Sequence, residues 1–150
     1  ALPKQIAPPI FSRYEPGMEY GTHVDTALMG RTSVIRSDLS LTLFLSDPAS
    51  YDGGELTVET TFGEQQVKLP PGPAVVYAST TLHRVAPVTR GARIVALSWV
   101  QSYVRDEGMR EILFDLAIAT QALDTGGSPG DIKNRLYKTY ANLMRREAEV

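Results

Sequence analysis

Short apolar segments separated by turn-forming residues run through most of this chain, and they restrict its fold more than any other feature. The segments are rich in valine, isoleucine, threonine, leucine and aromatic residues, which is typical of β-strands. Glycine and proline mark the breaks, for example at 16–17, 52–54 and 70–73. We predict strands over 10–15, 20–25, 38–47, 54–60, 65–69, 74–79, 83–88 and 92–104. Roughly eight short strands at this spacing indicate a sandwich, a barrel or a jelly roll.

The pattern changes after Val104, where apolar residues recur at helical spacing. Asp106 can cap a first helix, and Ser128 precedes a second one after a glycine-rich break over 126–130. The apolar stripes are predicted to be Met109, Ile112, Leu113, Leu116 and Ala119 on the first helix and Ile132, Leu136, Tyr140 and Leu143 on the second. We therefore predict a β-core over 1–104 and a two-helix extension over 105–150. This extension is expected to pack on the core or on a partner, and could form a dimer face.

The composition narrows the classes of protein that fit. A chain of 150 residues with a net charge of −2 is long enough to bury a substantial core and offers no electrostatic case for nucleic acid. No apolar stretch approaches the length of roughly 18 to 20 residues that spans a bilayer, and we expect no membrane association. The absence of cysteine excludes disulfides and thiolate ligands and fits a reducing cytoplasm. The sequence begins at Ala1 rather than methionine, which is typical of a trimmed chain.

Both histidines of the chain lie where they could bind a metal ion together with a carboxylate. His23 is two residues before Asp25, and His83 begins a later predicted strand. Alternate residues of a strand point to the same face, so His23 and Asp25 are expected to point inward together. Two histidines and one carboxylate form the facial triad of non-haem Fe(II) oxygenases, which leaves open coordination positions. The sequence therefore predicts a metal site at His23, Asp25 and His83.

Arg93 interrupts a strongly apolar predicted strand, and a buried arginine is costly unless it is paired. Its planar guanidinium matches a carboxylate through two parallel hydrogen bonds. The partner is either the distal carboxylate of a dicarboxylic acid or an internal acid such as Glu55. Trp99 is in phase with Arg93 and is expected to face the same cavity or to pack in the core. Tyr14 is placed either to bond a co-substrate carboxylate or simply to pack.

A polar segment after the His-x-Asp sequence is predicted to be a mobile loop. It covers 30–38 and carries Arg31, Arg36 and Asp38. Loops of this kind at the mouth of a barrel select substrates. We therefore expect this segment to contribute to the choice of substrate.

Several further stretches, distributed over nearly the whole chain, carry a specific combined pattern. They are 11–14, 20–25, 38–48, 51–56, 82–83, 88–93 and 99–102. Taken together they resemble the PKHD-type hydroxylases, which are bacterial members of the Fe(II)/2-oxoglutarate dioxygenase superfamily related to prolyl 4-hydroxylases. This combined resemblance is far more specific than the two histidines and the carboxylate alone.

The resemblance implies a mainly β chain with a double-stranded β-helix, a cupin-like variant of the jelly roll, followed by the two helices. It implies Fe(II) at His23, Asp25 and His83. It also implies 2-oxoglutarate at Arg93, with Tyr14 as a second contact and Trp99 near the site. Relatives place a tyrosine where this chain has Phe44, so one hydrogen bond to the co-substrate is expected to be missing. Relatives also have a helical region before the first strand, and this region is expected to be absent from the present chain.

The implied reaction is hydroxylation of a substrate by dioxygen, coupled to decarboxylation of 2-oxoglutarate to succinate, with ascorbate as a reductant. The target is left open between a protein side chain, with prolyl and lysyl groups suggested by analogy, and a small molecule. Two other functions fit the ligand set. One is a zinc hydrolase, since three ligands and a water also suit Zn²⁺. The other is a catalytically silent jelly-roll module that binds metal and 2-oxoglutarate.

Overall fold

The computed structural model describes residues 2–30, 33–125 and 130–150. Within these residues strands dominate up to Ser102, and two helices follow. The strands are β1 (Pro3–Ile6), β2 (Ile10–Tyr14), β3 (Tyr20–His23), β4 (Leu28–Met29), β5 (Ile35–Arg36), β6 (Leu39–Phe44), β7 (Asp52–Gly53), β8 (Leu56–Thr60), β9 (Gly63–Val67), β10 (Ala74–Ala78), β11 (His83–Val85), β12 (Val88–Arg90) and β13 (Arg93–Ser102). The helices are α1 (Glu107–Thr125) and α2 (Gly130–Glu147), and Pro48–Ser50 forms a short 3-10 helix.

Gln5–Gln101 form one compact unit, which consists of two principal sheets. The first sheet has the strand order β1-β13-β6-β10, with β2 also paired to β13, and the second has the order β3-β11-β8-β9. The registered pairings in both sheets are antiparallel. This arrangement is a double-stranded β-helix and confirms the predicted fold class. β1 stands at the end of the first sheet.

The core of this unit lies between the two sheets. Phe44 and Val95 from the first sheet pack with Leu56 and Val58 from the second. Fully burying a side chain of this size contributes roughly 1.5–3 kcal/mol. The sequence dictates this arrangement through its alternation, because burial in β6 and β13 follows a period close to two residues.

Two of the predicted strands differ from the structure close to the predicted metal ligands. The strand predicted over 20–25 stops at His23, so Asp25 lies in irregular backbone, outside the ladder. The strand predicted over 83–88 divides into β11 and β12. Pro87 lies at the break and has no N–H to donate to a ladder, which explains the division.

The predicted mobile loop over 30–38 contains a short strand. Ile35 and Arg36 form β5, which pairs with β4, and Ile35 is buried. Arg36 also makes two short hydrogen bonds to the Asp38 carboxylate. The prediction of a loop is therefore wrong for Ile35 and Arg36, while its mobility stays a prediction, and Arg31 lies outside the described part of the chain.

The second unit contains Ser102–Val150 together with the first four residues. The Asp106 carboxylate accepts a hydrogen bond from the Met109 amide at 2.7 Å, which confirms the predicted cap of α1. Leu113 is fully buried, as expected of its stripe. Ile112 and Ile132 are about half exposed, and no described residue of α2 is buried, so the predicted apolar stripes are buried only in part. Ser128 lies outside the described residues.

Among the described residues, neither helix is both long enough and apolar enough to span a bilayer.

At Gly53, β7 comes close to the chain just before β12, the strand with which it pairs. Gly53 has a φ of +72°, and a Cβ there would lie 2.0 Å from the Pro87 carbonyl oxygen. Gly17 has a φ of +88°, but a Cβ there would meet no atom within 4 Å. Both glycines therefore have a positive φ, which disfavours other residues, but only Gly53 lacks the space for a side chain.

We expect Gly53→Ala to lower the free energy of unfolding by more than Gly17→Ala does. Backbone strain alone accounts for roughly 1–2 kcal/mol at either position, and the clash with Pro87 adds to it only at Gly53. Urea unfolding of both variants beside the parent protein measures the difference. Equal losses would show that the close approach of Gly53 to Pro87 is unimportant.

Candidate metal centre

The site is a cavity of about 370 Å³ within the β-sheet unit. Both sheets contribute to its lining: Arg93 and Trp99 come from β13, and His23 and His83 come from β3 and β11. Tyr14, on β2, also lines it. The structure thus brings together every residue that the sequence predicted for the site.

The three predicted metal ligands converge at one point of this cavity. His23 and His83 are register partners across the β3–β11 ladder, which places their rings 4.2 Å apart. The Asp25 Oδ1 atom lies 3.8 Å from His23 Nε2 and 3.9 Å from His83 Nε2. One donor atom from each residue lies within 4.8 Å of the others. This spacing fits a single metal ion bound from one side.

Backbone carbonyls fix the orientation of both imidazole rings. His23 Nδ1 lies 2.8 Å from the Gly21 carbonyl oxygen, and His83 Nδ1 lies 2.9 Å from the Thr81 carbonyl oxygen. A carbonyl only accepts, so each Nδ1 carries the proton and donates it. Each Nε2 then presents a lone pair beside Asp25, which is the form that a metal-binding histidine requires.

Asp25 reaches the site although it lies beyond the end of β3. Its Oδ1 faces the two histidines, and its Oδ2 accepts a hydrogen bond from the Ser40 hydroxyl. Ser79 lies next to Ser40, with 2.7 Å between the two hydroxyl oxygens. Sequence reasoning missed both serines. Ser40 could have been found from the alternation of buried and partly exposed residues in β6, which places this small polar residue at a buried position.

Arg93 is buried without an ionic partner. It is 1% exposed, and no ion pair among the described residues includes it. Its Nε atom also has no hydrogen-bond partner in this part of the chain. Glu55, the internal partner considered from the sequence, instead pairs with Lys68 at 3.8 Å. The internal salt bridge is therefore absent.

Aromatic rings form the immediate surroundings of the Arg93 guanidinium. Its Cζ lies 5.3 Å from the centre of the Tyr14 ring and 5.6 Å from that of Phe44. Burial lowers the pKa of Arg93, while the nearby Tyr14, Tyr51 and Tyr77 oppose the shift. An arginine still keeps its charge at neutral pH, so the cavity wall contains a cation that pairs with no acid among residues 2–30, 33–125 and 130–150.

Two further aromatic residues lie along the cavity. The indole Nε1 of Trp99 is buried and has no hydrogen-bond partner among the described residues. Tyr77, which the sequence did not single out, meets the His83 ring edge-on at 4.9 Å. Burial raises the pKa of Tyr77 to about 12, with the Asp25 carboxylate adding to the shift. Tyr77 is therefore a neutral hydroxyl at any ordinary pH.

Comparison with known proteins places this geometry among oxygenases. A family model described as the 2OG-Fe(II) oxygenase superfamily matches residues 9–101. A protein from Paraburkholderia phytofirmans named PKHD-type hydroxylase is 50% identical, covering 99% of this chain and 66% of the relative. Another of that name from Xanthomonas axonopodis pv. citri is 49% identical, covering 99% and 68%. The chain thus spans about two thirds of the length of these relatives.

A solved structure shares the fold. The crystal structure of a Pseudomonas putida prolyl-4-hydroxylase superposes with a TM-score of 0.55 at 28% identity. The match covers 67% of this chain and 55% of that chain.

We expect both imidazoles of the metal-free protein, when neutral, to be the Nδ1–H tautomer, because each Nδ1 donates to a carbonyl. Two-bond ¹H–¹⁵N correlation spectra of the imidazoles identify the tautomer directly, and a chain with two histidines gives a simple spectrum. Protonation at Nε2 in either ring would contradict the assigned orientation.

Proposed function

Since the chain belongs to the 2OG-Fe(II) oxygenase superfamily, we propose that it is an Fe(II)- and 2-oxoglutarate-dependent dioxygenase that hydroxylates a substrate. The observation that carries this proposal is the presence of two complementary features in one cavity. One is the converging set of His23, Asp25 and His83, and the other is the unpaired buried cation of Arg93. In this proposal residues 1–104 form the oxygenase core and residues 105–150 its helical extension.

His23, Asp25 and His83 are the residues proposed to hold Fe(II). Two neutral imidazole nitrogens and one carboxylate oxygen match the ligand set of non-haem iron enzymes. The Nδ1 hydrogen bonds to Gly21 and Thr81 leave both Nε2 lone pairs free for this purpose. The donor chemistry of the site therefore fits the metal that the family implies.

Arg93 is proposed to bind the distal carboxylate of 2-oxoglutarate. Its buried guanidinium pairs with no acid that the structure describes, its Nε has no hydrogen-bond partner there, and a carboxylate can accept two parallel hydrogen bonds from it. Tyr14 lies opposite Arg93 in the β2–β13 register and is proposed to donate to the same carboxylate. Trp99 supplies a buried N–H on the same strand, which we propose as a contact for a bound ligand.

The protein's part in the reaction is to bind and orient the metal and the co-substrate and to exclude water. When bound, Fe(II) and 2-oxoglutarate supply the chemistry that consumes dioxygen, releases succinate and carbon dioxide, and hydroxylates the substrate. The carbonyl hydrogen bonds keep His23 and His83 in the metal-binding tautomer throughout. Arg93 fixes the direction in which the co-substrate enters, since its charge is held in the wall of the cavity.

The cavity also bears on the nature of the substrate. Apart from the triad and Arg93, its described lining carries no charged side chain. A charged group such as a lysyl ammonium would find no counter-ion there, so a neutral target group is favoured. The prolyl-4-hydroxylase from Pseudomonas putida makes a prolyl residue the first candidate to test.

A zinc hydrolase is less consistent with this cavity. Hydrolysis by a bound water calls for a general base beside the metal ligands. Within the described lining, Asp25 is the only carboxylate, and it already belongs to the triad. Such an enzyme would also leave the buried charge of Arg93 without a role.

Three further parts of the proposal concern the surroundings of the reaction. Ascorbate is proposed as a reductant. The reducing cytoplasm is proposed as the location, because the chain has no cysteine.

A homodimer is proposed to form through the helical extension. Exposed apolar side chains on α1 and α2, among them Phe114, Ile118 and Tyr137, support this last proposal.

We expect Arg93→Leu to raise the KM for 2-oxoglutarate by about 10- to 100-fold, the equivalent of losing hydrogen bonds to a charged group. His83→Ala should abolish formation of succinate, because it removes a proposed iron ligand. Release of succinate from 2-oxoglutarate, measured with and without peptides that contain proline, gives both results.

Arg90→Leu is the matched control, since Arg90 is an exposed arginine in a surface ion pair with Asp52. Its KM should equal that of the parent protein. Succinate formation at the parental rate in His83→Ala would contradict the proposal. Binding of iron and 2-oxoglutarate without any succinate, whatever substrate is offered, would instead indicate a silent binding module.

A further inference from the structure

Asp25 differs from the two histidines in how the fold holds it. His23 and His83 are fixed by a strand ladder, whereas Asp25 lies after the end of β3. Strand pairing therefore does not determine where its carboxylate points. Another set of contacts has to do so.

Serine side chains connect this irregular segment to the start of β6. The Ser37 hydroxyl donates to the Thr26 carbonyl at 2.5 Å, and the Ser37 amide donates to the Ala27 carbonyl at 3.0 Å. Ser40, in β6, donates to Asp25 Oδ2. The backbone just after Asp25 and the Asp25 carboxylate are thus both held by the short stretch 37–40.

The direction of the hydrogen bonds follows from the chemistry of the groups. An ionised carboxylate only accepts, so the single proton of Ser40 is directed to Asp25. The Ser79 hydroxyl must then donate to Ser40, across 2.7 Å. Both serines are almost fully buried, and the Ser79 amide is itself held by the Asp38 carbonyl at 3.1 Å. The result is a chain from Ser79 to Ser40 to Asp25, shielded from water.

We infer that Ser40 and Ser79 are positioning residues that make Asp25 a ligand through one oxygen only. Their chain occupies Oδ2, and Oδ1 is left facing His23 Nε2 and His83 Nε2. A carboxylate that used both oxygens would take a further coordination position, which a metal centre needs to keep open for its co-substrates. This inference rests on the proposed function, because it concerns the metal that the triad would bind.

The two serines are predicted to differ in importance. Ser40→Ala removes the only side-chain donor to Asp25 among the described residues, so Oδ2 becomes free to turn towards the metal. Ser79→Ala leaves Ser40 able to donate and removes only the hydroxyl behind it. Ser98 provides a matched control, since it is equally buried but its hydroxyl donates to the Ala7 carbonyl at 2.7 Å.

The experiment is an anaerobic titration of each variant with Fe(II) alone and, separately, with Co(II) alone. Trp99, the single tryptophan of the chain, lines the same cavity and reports binding through its fluorescence. We expect Ser40→Ala to weaken Fe(II) binding by about 10- to 100-fold, as is typical for a residue that orients a metal ligand. Ser79→Ala should lose less, and Ser98→Ala should bind like the parent protein.

The visible spectrum of the Co(II) form supplies a readout that a purely structural role would not move. We expect its bands to change in Ser40→Ala, because the coordination by Asp25 changes, and to stay unchanged in Ser98→Ala. Thermal unfolding without metal should show similar stability for these two variants. If Ser40→Ala does not fold, Ser40→Cys, with its weaker donor, takes its place and should show the same changes to a lesser degree.

Two results would overturn the inference, and they are distinguishable. If the parent protein binds Fe(II) but Ser40→Ala matches Ser98→Ala in affinity and Co(II) spectrum, the serines do not position Asp25 and the proposed function still stands. If the parent protein binds neither metal, the proposed function fails, and the inference fails with it.

Discussion

The structure depends on the burial of one positive charge that forms no ion pair within the described part of the chain. Arg93 is 1% exposed, and its Nε has no hydrogen-bond partner among the described residues. Breaking a buried ion pair by removing one partner typically destabilises a protein by about 3–5 kcal/mol, which indicates how unfavourable an uncompensated charge is. Burying this charge is unfavourable unless something compensates for it, and the guanidinium lines the same cavity as the three side chains proposed to bind metal. A bound dicarboxylate would offset the penalty, so co-substrate binding and stability are coupled at this residue.

Each of the two sheets supplies different residues of the site. The second sheet supplies both histidines as register partners, so their spacing is a property of the ladder. The first sheet supplies Arg93 and, opposite it in register, Tyr14. The fold also makes room for the arginine, because a side chain at Gly54 would lie 3.0 Å from Arg93 Cδ. The Asp25 carboxylate is the exception, since it is placed by side-chain hydrogen bonds and not by strand pairing.

Sequence patterns predicted those parts of the site that depend on local periodicity or on scarce residue types. The alternation in β13 placed Arg93 and Trp99 on the cavity, and the two histidines were conspicuous because the chain has no others. Contacts between residues far apart in sequence could not be predicted from these patterns. Nothing local indicates that Ser40 and Ser79 meet, or that Glu55 pairs with Lys68 and not with Arg93. The alternation rule also failed at Asp25, because the strand ends before it.

The triad and Arg93 are proposed to form one site for Fe(II) and 2-oxoglutarate. Anaerobic titration of the parent protein with both, followed by visible absorption, shows whether they do. We expect a weak charge-transfer band that develops only when metal and 2-oxoglutarate are present together and that saturates at one equivalent of each. Absence of the band, with 2-oxoglutarate binding equally well with and without the metal, would contradict it.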